Sequence, residues 1–276
     1  MTYEIGKIGV WRPKQLTDDK LAVELEGLGY GALWVGSSPS LVSEIGQLDS
    51  VLAATSTLVV GTSIANIWSD DPAGVGAGYH RLADKYPGRF ILGIGAGHPE
   101  ATQEYKKPYQ ALVDYLDGLD AAGVPVESRA LAALGPKVIK LSGDRTAGAL
   151  PYLTTPEHTR QARELLGPDK LLVAEQKVVL GEERERALAI AREAVRNPYL
   201  SLINYTTMLR KLGFTDADLA DGGSDQLIDA LVTQGDAETV ARGLTAHLDA
   251  GADHVAVQVL GDNLDYAAVI AAVTPR

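Results

Sequence analysis

Short apolar runs alternate with longer amphipathic stretches along the first half of the chain. Four runs rich in apolar and β-branched residues predict buried strands, namely residues 5–11, 32–35, 58–64 and 89–94. After the first run, Leu21, Leu25 and Leu28 recur at helical spacing, and Thr17 is the predicted N-cap of that helix. Because segments of crossover length separate the strands, this half of the chain predicts four β–α units of a parallel sheet.

Two more helices in this half are predicted from a proline at the first turn. One runs from Pro72 to about Tyr86, and the other begins at Pro99 and continues through Leu112 and Leu119. Proline fits there because the first amide of a helix has no partner inside the helix.

The second half of the chain is less regular. Its segments are a strand or helix start at 129–133, a helix at 136–141, a short strand at 148–152, a helix at 157–166, a strand at 171–180, a helix at 182–195, helical pieces within 197–235, a helix at 237–250 and a strand at 254–259. The two long apolar runs among these complete a series of eight predicted strands.

The order of the elements decides the fold class. Eight apolar strands, most of them followed by a helix, predict an α/β fold of the (β/α)₈ barrel type, with a single domain over residues 1–276 and a short insertion region. A doubly wound open sheet is the alternative. It needs a glycine-rich turn after the first strand, and residues 12–15 contain no glycine.

Composition narrows the class of function. The 276 residues include 25 basic and 36 acidic side chains, and the formal charge of −11 gives no basic surface for nucleic acid. Cysteine is absent, which excludes disulfides, thiolate metal sites and a cysteine nucleophile. No apolar run reaches 18 residues, and residues 1–7 lack a signal-peptide pattern. We therefore expect a cytoplasmic protein that acts on a small molecule, without nucleic-acid or membrane partners.

Function in such a barrel lies at the carboxyl ends of the strands. The residues that follow the predicted strands are mostly small or hydroxyl-bearing, as at Ser63, Gly97 and Thr154. They show no carboxylate pair of a glycosidase, no set of three metal ligands and no obvious strand-end lysine for Schiff-base chemistry. Small residues, main-chain amides and aromatic side chains instead indicate a pocket for a large planar ligand, with no metal.

Several segments carry motifs that recur together, in order, in one family. They are residues 28–34, 61–64, 87–97, 133–137, 147–149 and 251–255. In this set the chain resembles the bacterial luciferase-like monooxygenase family over nearly its whole length, and most of all the actinobacterial branch that uses the deazaflavin coenzyme F420. The resemblance implies a (β/α)₈ barrel that binds a flavin or deazaflavin across its mouth.

The resemblance also implies roles for particular residues. Ser63 and Ile64 match the position of a non-prolyl cis peptide that supports the flavin ring. The segment from Leu134 to Pro136 matches the one that binds the cofactor phosphate, and free amides at the start of a helix suit an anion. The implied cofactor-binding set is Ser37, Ser63, Ile64, Asn66, Gly95, Gly97, Leu134, Gly135 and Pro136.

His98 is the candidate catalytic residue, because it follows the predicted fourth strand and matches a position where some relatives carry a catalytic carboxylate. Its imidazole suits acid or base work near neutral pH, but a solvent-facing loop histidine fits the sequence as well. Ser37 and Ser38 stand where several dehydrogenases of the family have an acidic residue and a histidine, so the usual general base of those enzymes is missing. Trp11, Trp68 and Tyr152 are candidates for an apolar substrate wall.

The resulting hypothesis is an oxidoreductase that transfers hydride between coenzyme F420 and a small apolar substrate, and that works as a homodimer. An FMN-dependent monooxygenase is the near alternative. A cofactor-free or non-catalytic binding barrel is the alternative from another class. The remaining histidines (His80, His158, His247 and His254) fall in predicted helices or at the predicted bottom of the barrel, so we interpret them as structural.

Overall fold

The protein forms a closed barrel of parallel strands surrounded by helices. The structure, a computed structural model, describes residues 3–36, 40–98, 107–262 and 264–273. Within these residues the strands are β1 (Ile8–Pro13), β2 (Ala32–Gly36), β3 (Val59–Ser63), β4 (Ala65–Asn66), β5 (Phe90–Gly95), β6 (Arg129–Leu131), β7 (Gly148–Ala149), β8 (Leu171–Leu180), β9 (Val232–Gly235) and β10 (His254–Val259). The helices are α1 (Asp19–Leu28), α2 (Leu41–Ala54), α3 (Pro72–Lys85), α4 (Pro108–Ala121), α5 (Pro136–Arg145), α6 (Pro156–Leu166), α7 (Arg184–Arg196), α8 (Ile203–Lys211), α9 (Asp216–Leu219), α10 (Asp225–Leu231), α11 (Ala237–Asp249) and α12 (Tyr266–Val273).

Eight strands close the ring in the order β1, β2, β3, β5, β6, β7, β8 and β10, and every pairing is parallel. Closure runs through β10, which pairs with β1 on one side and with residues 173–178 of β8 on the other. The structure confirms the predicted (β/α)₈ barrel as a single domain and excludes the open sheet.

Strand β9 is the element that the sequence analysis missed, because residues 197–235 were interpreted as helical pieces. It pairs with Lys177–Leu180 at the end of β8, outside the closed ring. Helices α8, α9 and α10 do occupy most of that region, as predicted. The ambiguous residues 129–133 contain a strand, β6.

One predicted helix start differs from the structure, and a second falls outside the described residues. The N-cap of α1 is Asp18, whose carboxylate accepts a hydrogen bond from the Leu21 amide at 2.8 Å. The Thr17 hydroxyl donates instead to the carbonyl of Pro13. Helix α4 begins at Pro108, and the helix start predicted at Pro99 falls within residues 99–106, which lie outside the described residues.

Glycines inside the barrel make room for two tryptophan rings. A Cβ atom at Gly36 would lie 1.9 Å from Cζ2 of Trp11, and one at Gly61 would lie 2.5 Å from two ring atoms of Trp34. Each indole is therefore buried against a glycine of the neighbouring strand. The two rings fill much of the barrel interior in a chain that has only 2 phenylalanines.

Two of the buried histidines have hydrogen bonds on both ring nitrogens. In His254, Nε2 accepts from Trp34 Nε1 at 3.1 Å, so Nδ1 carries the proton and donates to the carbonyl of Gly6 at 2.9 Å. His247 lies between the Thr159 hydroxyl and Gln176 Oε1, at 2.8 and 2.7 Å. Burial lowers the pKa of each imidazole to about 4. The structural interpretation of these two histidines is confirmed.

None of the helices in the described part of the chain is both long enough and apolar enough to span a bilayer.

We expect Gly61→Ala to lower the free energy of unfolding by about 1–3 kcal/mol, because the new methyl group overpacks the Trp34 ring. Gly27→Ala is the matched control. Gly27 is exposed in the last turn of α1 with no neighbouring atom near its missing Cβ, so a gain of up to about 0.5–1 kcal/mol is expected there. Urea unfolding measures both variants, and equal stability of the two would contradict the packing argument.

Stability should fall when the pH is lowered from 6.5 toward 4. In this window His247 and His254 are protonated in the unfolded chain but stay neutral in the folded chain, because burial lowers their pKa to about 4. The free energy of unfolding therefore rises with pH. His254→Gln keeps an acceptor for Trp34 but cannot titrate. We expect a lower stability at pH 7 but a flatter pH dependence, and an unchanged slope in urea unfolding at pH 7 and 5 would show this account to be wrong.

Candidate functional site

A cavity of about 680 Å³ opens at the carboxyl ends of the barrel strands. Its lining residues lie in or just after β1, β3, β4, β5, β6 and β7, in the first turns of α4 and α5, or in the segment around α8. They are Trp11, Ser63, Ile64, Asn66, Ala96, Gly97, His98, Pro108, Tyr109, Leu112, Ala132, Ala133, Leu134, Gly135, Lys137, Val138, Leu150, Tyr152, Pro198, Tyr199, Asn204 and Tyr205. We call this space the main cavity. Its volume is that of a typical small-molecule site.

Aromatic rings form one continuous wall of the main cavity. The ring of Tyr152 lies 5.1 Å from that of Trp11 and 5.5 Å from that of Tyr199. Tyr199 in turn lies 5.0 Å from Tyr205, edge to face. Such contacts favour fixed ring positions, and the wall offers a planar ligand a rigid apolar surface.

A buried ion pair lies directly behind this wall. Lys177 and Glu175 both project inward from β8, and almost nothing of either side chain is exposed. Lys177 Nζ donates to Glu175 Oε1 at 3.0 Å, to Tyr152 Oη at 2.7 Å and to Gln258 Oε1 at 2.9 Å. All three ammonium protons therefore have acceptors, which a buried charge requires.

The ion pair holds the main chain at Leu153 as well as the side chain of Tyr152. Glu175 Oε2 accepts from the amide of Leu153 at 2.9 Å, and Leu153 has a φ of 52°, unusual for a residue with a side chain. The Tyr152 hydroxyl donates to Gln258 at 2.8 Å, and Lys177 Nζ lies 3.9 Å from the centre of the Tyr152 ring. Tyr152 is thus held from behind by both its hydroxyl and its ring face.

Burial controls the ionisation of these groups. Burial lowers the pKa of Lys177, while the Glu175 carboxylate acts in the opposite direction. Burial raises the pKa of Tyr199 to about 12 and holds the pKa values of Tyr152 and Tyr205 well above their usual range. The three phenols therefore stay protonated near neutral pH and act there as hydrogen-bonding groups rather than as proton sources.

His98 lies at the Tyr205 end of the aromatic wall. Asn204 Nδ2 donates to its Nδ1 atom at 3.2 Å, so that the ring proton is on Nε2 when the imidazole is neutral. Tyr205 packs 5.6 Å from the imidazole, centre to centre. Asn204 Oδ1 is buried and has no hydrogen-bond partner within the described residues.

The edge formed by β3 and β5 carries small residues. The Ser63–Ile64 peptide bond is cis, and Ser63 Oγ accepts from Trp11 Nε1 at 3.1 Å. Gly97 has a φ of 62°, and a Cβ atom there would lie 2.9 Å from Asn66 Nδ2. Only glycine fits that position without strain, and this leaves main-chain atoms at the edge of the cavity.

The start of α5 forms the opposite edge. Gly135 is the N-cap, Pro136 is the first helical residue, and Lys137 lines the main cavity. A Cβ atom at Gly135 would meet nothing within 4 Å, so the main chain is open to a ligand there. A helix start beside a lysine favours a negatively charged group.

Most of the predicted site residues come together. Those that line the main cavity are Trp11, Ser63, Ile64, Asn66, Gly97, His98, Leu134, Gly135 and Tyr152. Gly95 is buried in β5 beside this lining, and Pro136 lines a neighbouring cavity instead. Trp68 packs on the outer side of the barrel and donates to the Ala96 carbonyl at 2.8 Å, so the structure does not place it in the wall. Ser37 and Ser38 lie outside the described residues.

The sequence analysis missed the ion pair and the residues around α8. Glu175 and Lys177 stand two positions apart in a strand whose only other polar residue is Gln176, and that spacing places both on the inner face. This alternation was a usable signal for charge inside the barrel. Tyr199, Asn204 and Tyr205 follow no predicted strand, so nothing local marked them.

Among the residues that the structure describes, no group of three or more histidine, aspartate or glutamate side chains is arranged to hold a metal ion.

Comparison with known proteins finds one family model and several solved structures that this chain resembles. The family model for luciferase-like monooxygenases matches residues 19–123, less than half of the chain. An F420-dependent secondary alcohol dehydrogenase, solved with an F420–acetone adduct, aligns at a TM-score of 0.77 and 14% identity, over 98% of this chain and 99% of that one. The F420-dependent tetrahydromethanopterin reductase of Methanopyrus kandleri aligns at 0.68 and 15%, over 97% of each chain.

A third solved structure contains a different cofactor. The oxygenating constituent of 3,6-diketocamphane monooxygenase from Pseudomonas putida, in complex with FMN, aligns at a TM-score of 0.62 and 15% identity, over 95% of this chain and 93% of that one. At such low identities these likenesses establish a shared fold. They do not choose between the two cofactors.

We expect Lys177→Met to lower the free energy of unfolding by about 3–5 kcal/mol, because Glu175 would remain as a buried carboxylate without its counter-charge. The double variant Glu175→Gln/Lys177→Met removes both charges and should be more stable than Lys177→Met alone. Arg160→Gln, in an exposed ion pair with Glu157, is the control and should change stability by less than about 1 kcal/mol. Denaturant unfolding at pH 7 measures all three, and a Lys177→Met variant as stable as wild type would refute the role of the pair.

Proposed function

We propose that this protein is an oxidoreductase that uses coenzyme F420 to transfer hydride to or from a small, uncharged, apolar organic substrate. The observation that carries the proposal is the shape of the main cavity, which joins a rigid aromatic wall to a helix start that favours an anion. A planar redox cofactor with a phosphate on its chain needs both features in one continuous space.

The residues present fit such a cofactor. Gly135 leaves the start of α5 open, and Lys137 supplies a positive charge beside it for a phosphate. Gly97 has no side chain, so a ring in the main cavity can contact the main chain at this edge. Asn204 Oδ1 is a buried acceptor without a partner in the described chain, and it would find one in a ring or substrate N–H or O–H group.

The chain supplies orientation and proton handling in this proposal. When bound, the coenzyme supplies a ring carbon that gives or accepts a hydride. Trp11, Tyr152 and Tyr199 exclude water from the space above the ion pair, because their rings are packed against one another. His98, oriented by Asn204, holds a proton on Nε2 and exchanges it with an oxygen of the substrate. Ser63, Ile64 and Asn66 contact the ring from the β3 side.

FMN-dependent oxygenation is the second candidate, and the FMN-bound relative with the same fold favours it. A binding barrel without catalytic activity is the third. These candidates differ in what the main cavity binds and in whether oxygen is consumed, so binding and turnover measurements separate them.

The proposal also places the protein in the cytoplasm as a homodimer of single-domain chains, with a small molecule as its substrate. Two small residues of α3, Gly76 and Gly78, do not supply a dimer face, because they pack against Ala122 and against Leu41 and Ile45 of the same chain. Analytical ultracentrifugation would measure the oligomeric state directly.

We expect oxidised coenzyme F420 to bind the purified protein with quenching of its fluorescence, and FMN to bind more weakly. Lys137→Gln should weaken F420 binding about 3- to 10-fold, and the loss should shrink at high salt because the contact is a charge at the cavity edge. Lys140→Gln, one turn further along α5 and exposed, is the matched control and should bind like wild type.

Tighter binding of FMN with oxygen consumption would replace the F420 proposal by the monooxygenase. No binding of either cofactor, by fluorescence and by calorimetry, would leave the non-catalytic barrel.

A further inference from the structure

A second cavity, of about 390 Å³, adjoins the main cavity between α5, α6 and α8. We call it the side cavity. Leu134, Gly135 and Asn204 line both spaces. Most of the remaining wall is apolar and comes from Pro136, Ile139, Ala162, Leu165, Ile203, Met208 and Leu212. Ile203 and Leu165 are 63% and 40% exposed, which is unusual for large apolar side chains.

One polar side chain in this wall is buried and only half satisfied. His158 is 4% exposed, and its Nε2 atom lies 2.9 Å from the carbonyl oxygen of Leu134. A carbonyl oxygen can only accept, so Nε2 carries the ring proton and donates it. In the neutral ring Nδ1 is then a bare acceptor, and this atom is buried without a partner among the described residues.

Burial lowers the pKa of His158, which keeps the ring neutral at physiological pH. An acceptor in an apolar wall costs free energy until it receives a hydrogen bond. Asn204 Oδ1, shared with the main cavity, is a second acceptor of this kind. Two of the residues that line the side cavity thus carry a buried acceptor without a partner among the described residues, and the longer polar side chains Gln161, Thr207 and Lys211 also line it.

We propose that the side cavity is a binding site for a small neutral molecule with an apolar body and one O–H or N–H donor, of the phenol, indole or amide class, which donates to His158 Nδ1. The cavity volume lies at the small end of the range for small-molecule sites, so the ligand is of about the size of one ring system. This inference does not depend on the redox function of the main cavity.

Met208 makes the proposal directly measurable. The chain has 2 methionines, Met1 and Met208, and Met208 lines the side cavity. In protein with ¹³C-labelled methionine methyl groups, phenol should shift the Met208 signal and saturate it. Toluene has the same shape without the donor and leaves water more readily, so a merely apolar cavity would prefer it. We expect phenol to bind at least about fivefold more tightly than toluene.

Two variants of His158 separate the acceptor from the contact with Leu134. In His158→Gln, the side-chain amide takes the place of Nε2, keeps the donation to the Leu134 carbonyl and removes the acceptor. In His158→Asn, the amide takes the place of Nδ1 and keeps an acceptor, while the contact with Leu134 is lost. Preference for phenol should vanish in His158→Gln and persist in His158→Asn.

The indole N–H signal of Trp11 reports on the main cavity in the same samples. The proposal is overturned if phenol shifts Trp11 but not Met208, if toluene binds as tightly as phenol to the wild-type protein, or if His158→Gln keeps the preference for phenol. Unfolding curves of both variants establish that they are folded before the titrations are compared.

Discussion

The ion pair between Lys177 and Glu175 is the interaction on which the rest of the candidate site depends. Both charges lie inside the barrel, where they are stable only while each polar atom keeps its partner. Those partners are Tyr152, Gln258 and the amide of Leu153, so one pair of charges determines the position of the aromatic wall and of the loop after β7. The hydrogen bonds that the Lys177–Glu175 pair requires therefore fix part of the lining of the main cavity.

Small residues provide the space that the large side chains inside the barrel occupy. Gly36 and Gly61 leave room on β2 and β3 for the indoles of Trp11 and Trp34, and each indole then donates a hydrogen bond to a neighbour within the barrel. Trp34 reaches down to His254 near the amino ends of the strands, and Trp11 reaches up to Ser63 at their carboxyl ends. The interior is therefore divided between a layer that serves stability and a layer that borders the cavity, as is usual in barrels of this kind.

The parts that could be predicted from sequence are those with a local cause. Apolar runs at regular spacing gave the strands and their order, and a glycine followed by Pro136 marked the start of α5. Asp18 and Thr17 are adjacent and both suit an N-cap, so only the folded geometry decides between them. Glu175 and Lys177 stand in a run that is apolar at both ends, and the run predicts a buried strand without indicating that its two charges pair inside the barrel.

The position of the residues around α8 in the site has no local signal of that kind in the sequence. Tyr199, Asn204 and Tyr205 reach the cavity because tertiary packing folds their segment over the barrel mouth, and no period or cap in the sequence records that placement. Trp68 shows the reverse case, since its position after a strand suggested the cavity while its indole packs on the outer face. Contacts between distant segments thus limit what a single sequence can disclose about a site.

The pairing of β10 with β8 has a consequence for the lining of the main cavity. The ring closes without residues 181–253, and β9 merely lengthens one edge of β8. The stretch that carries α8 is therefore a detour between two strands that already pair, so a change in its length leaves the ring of strands closed. The lining that Tyr199, Asn204 and Tyr205 contribute to the main cavity can therefore be altered by rebuilding this detour, while the pairing of β8 with β10 and the ion pair on β8 stay in place.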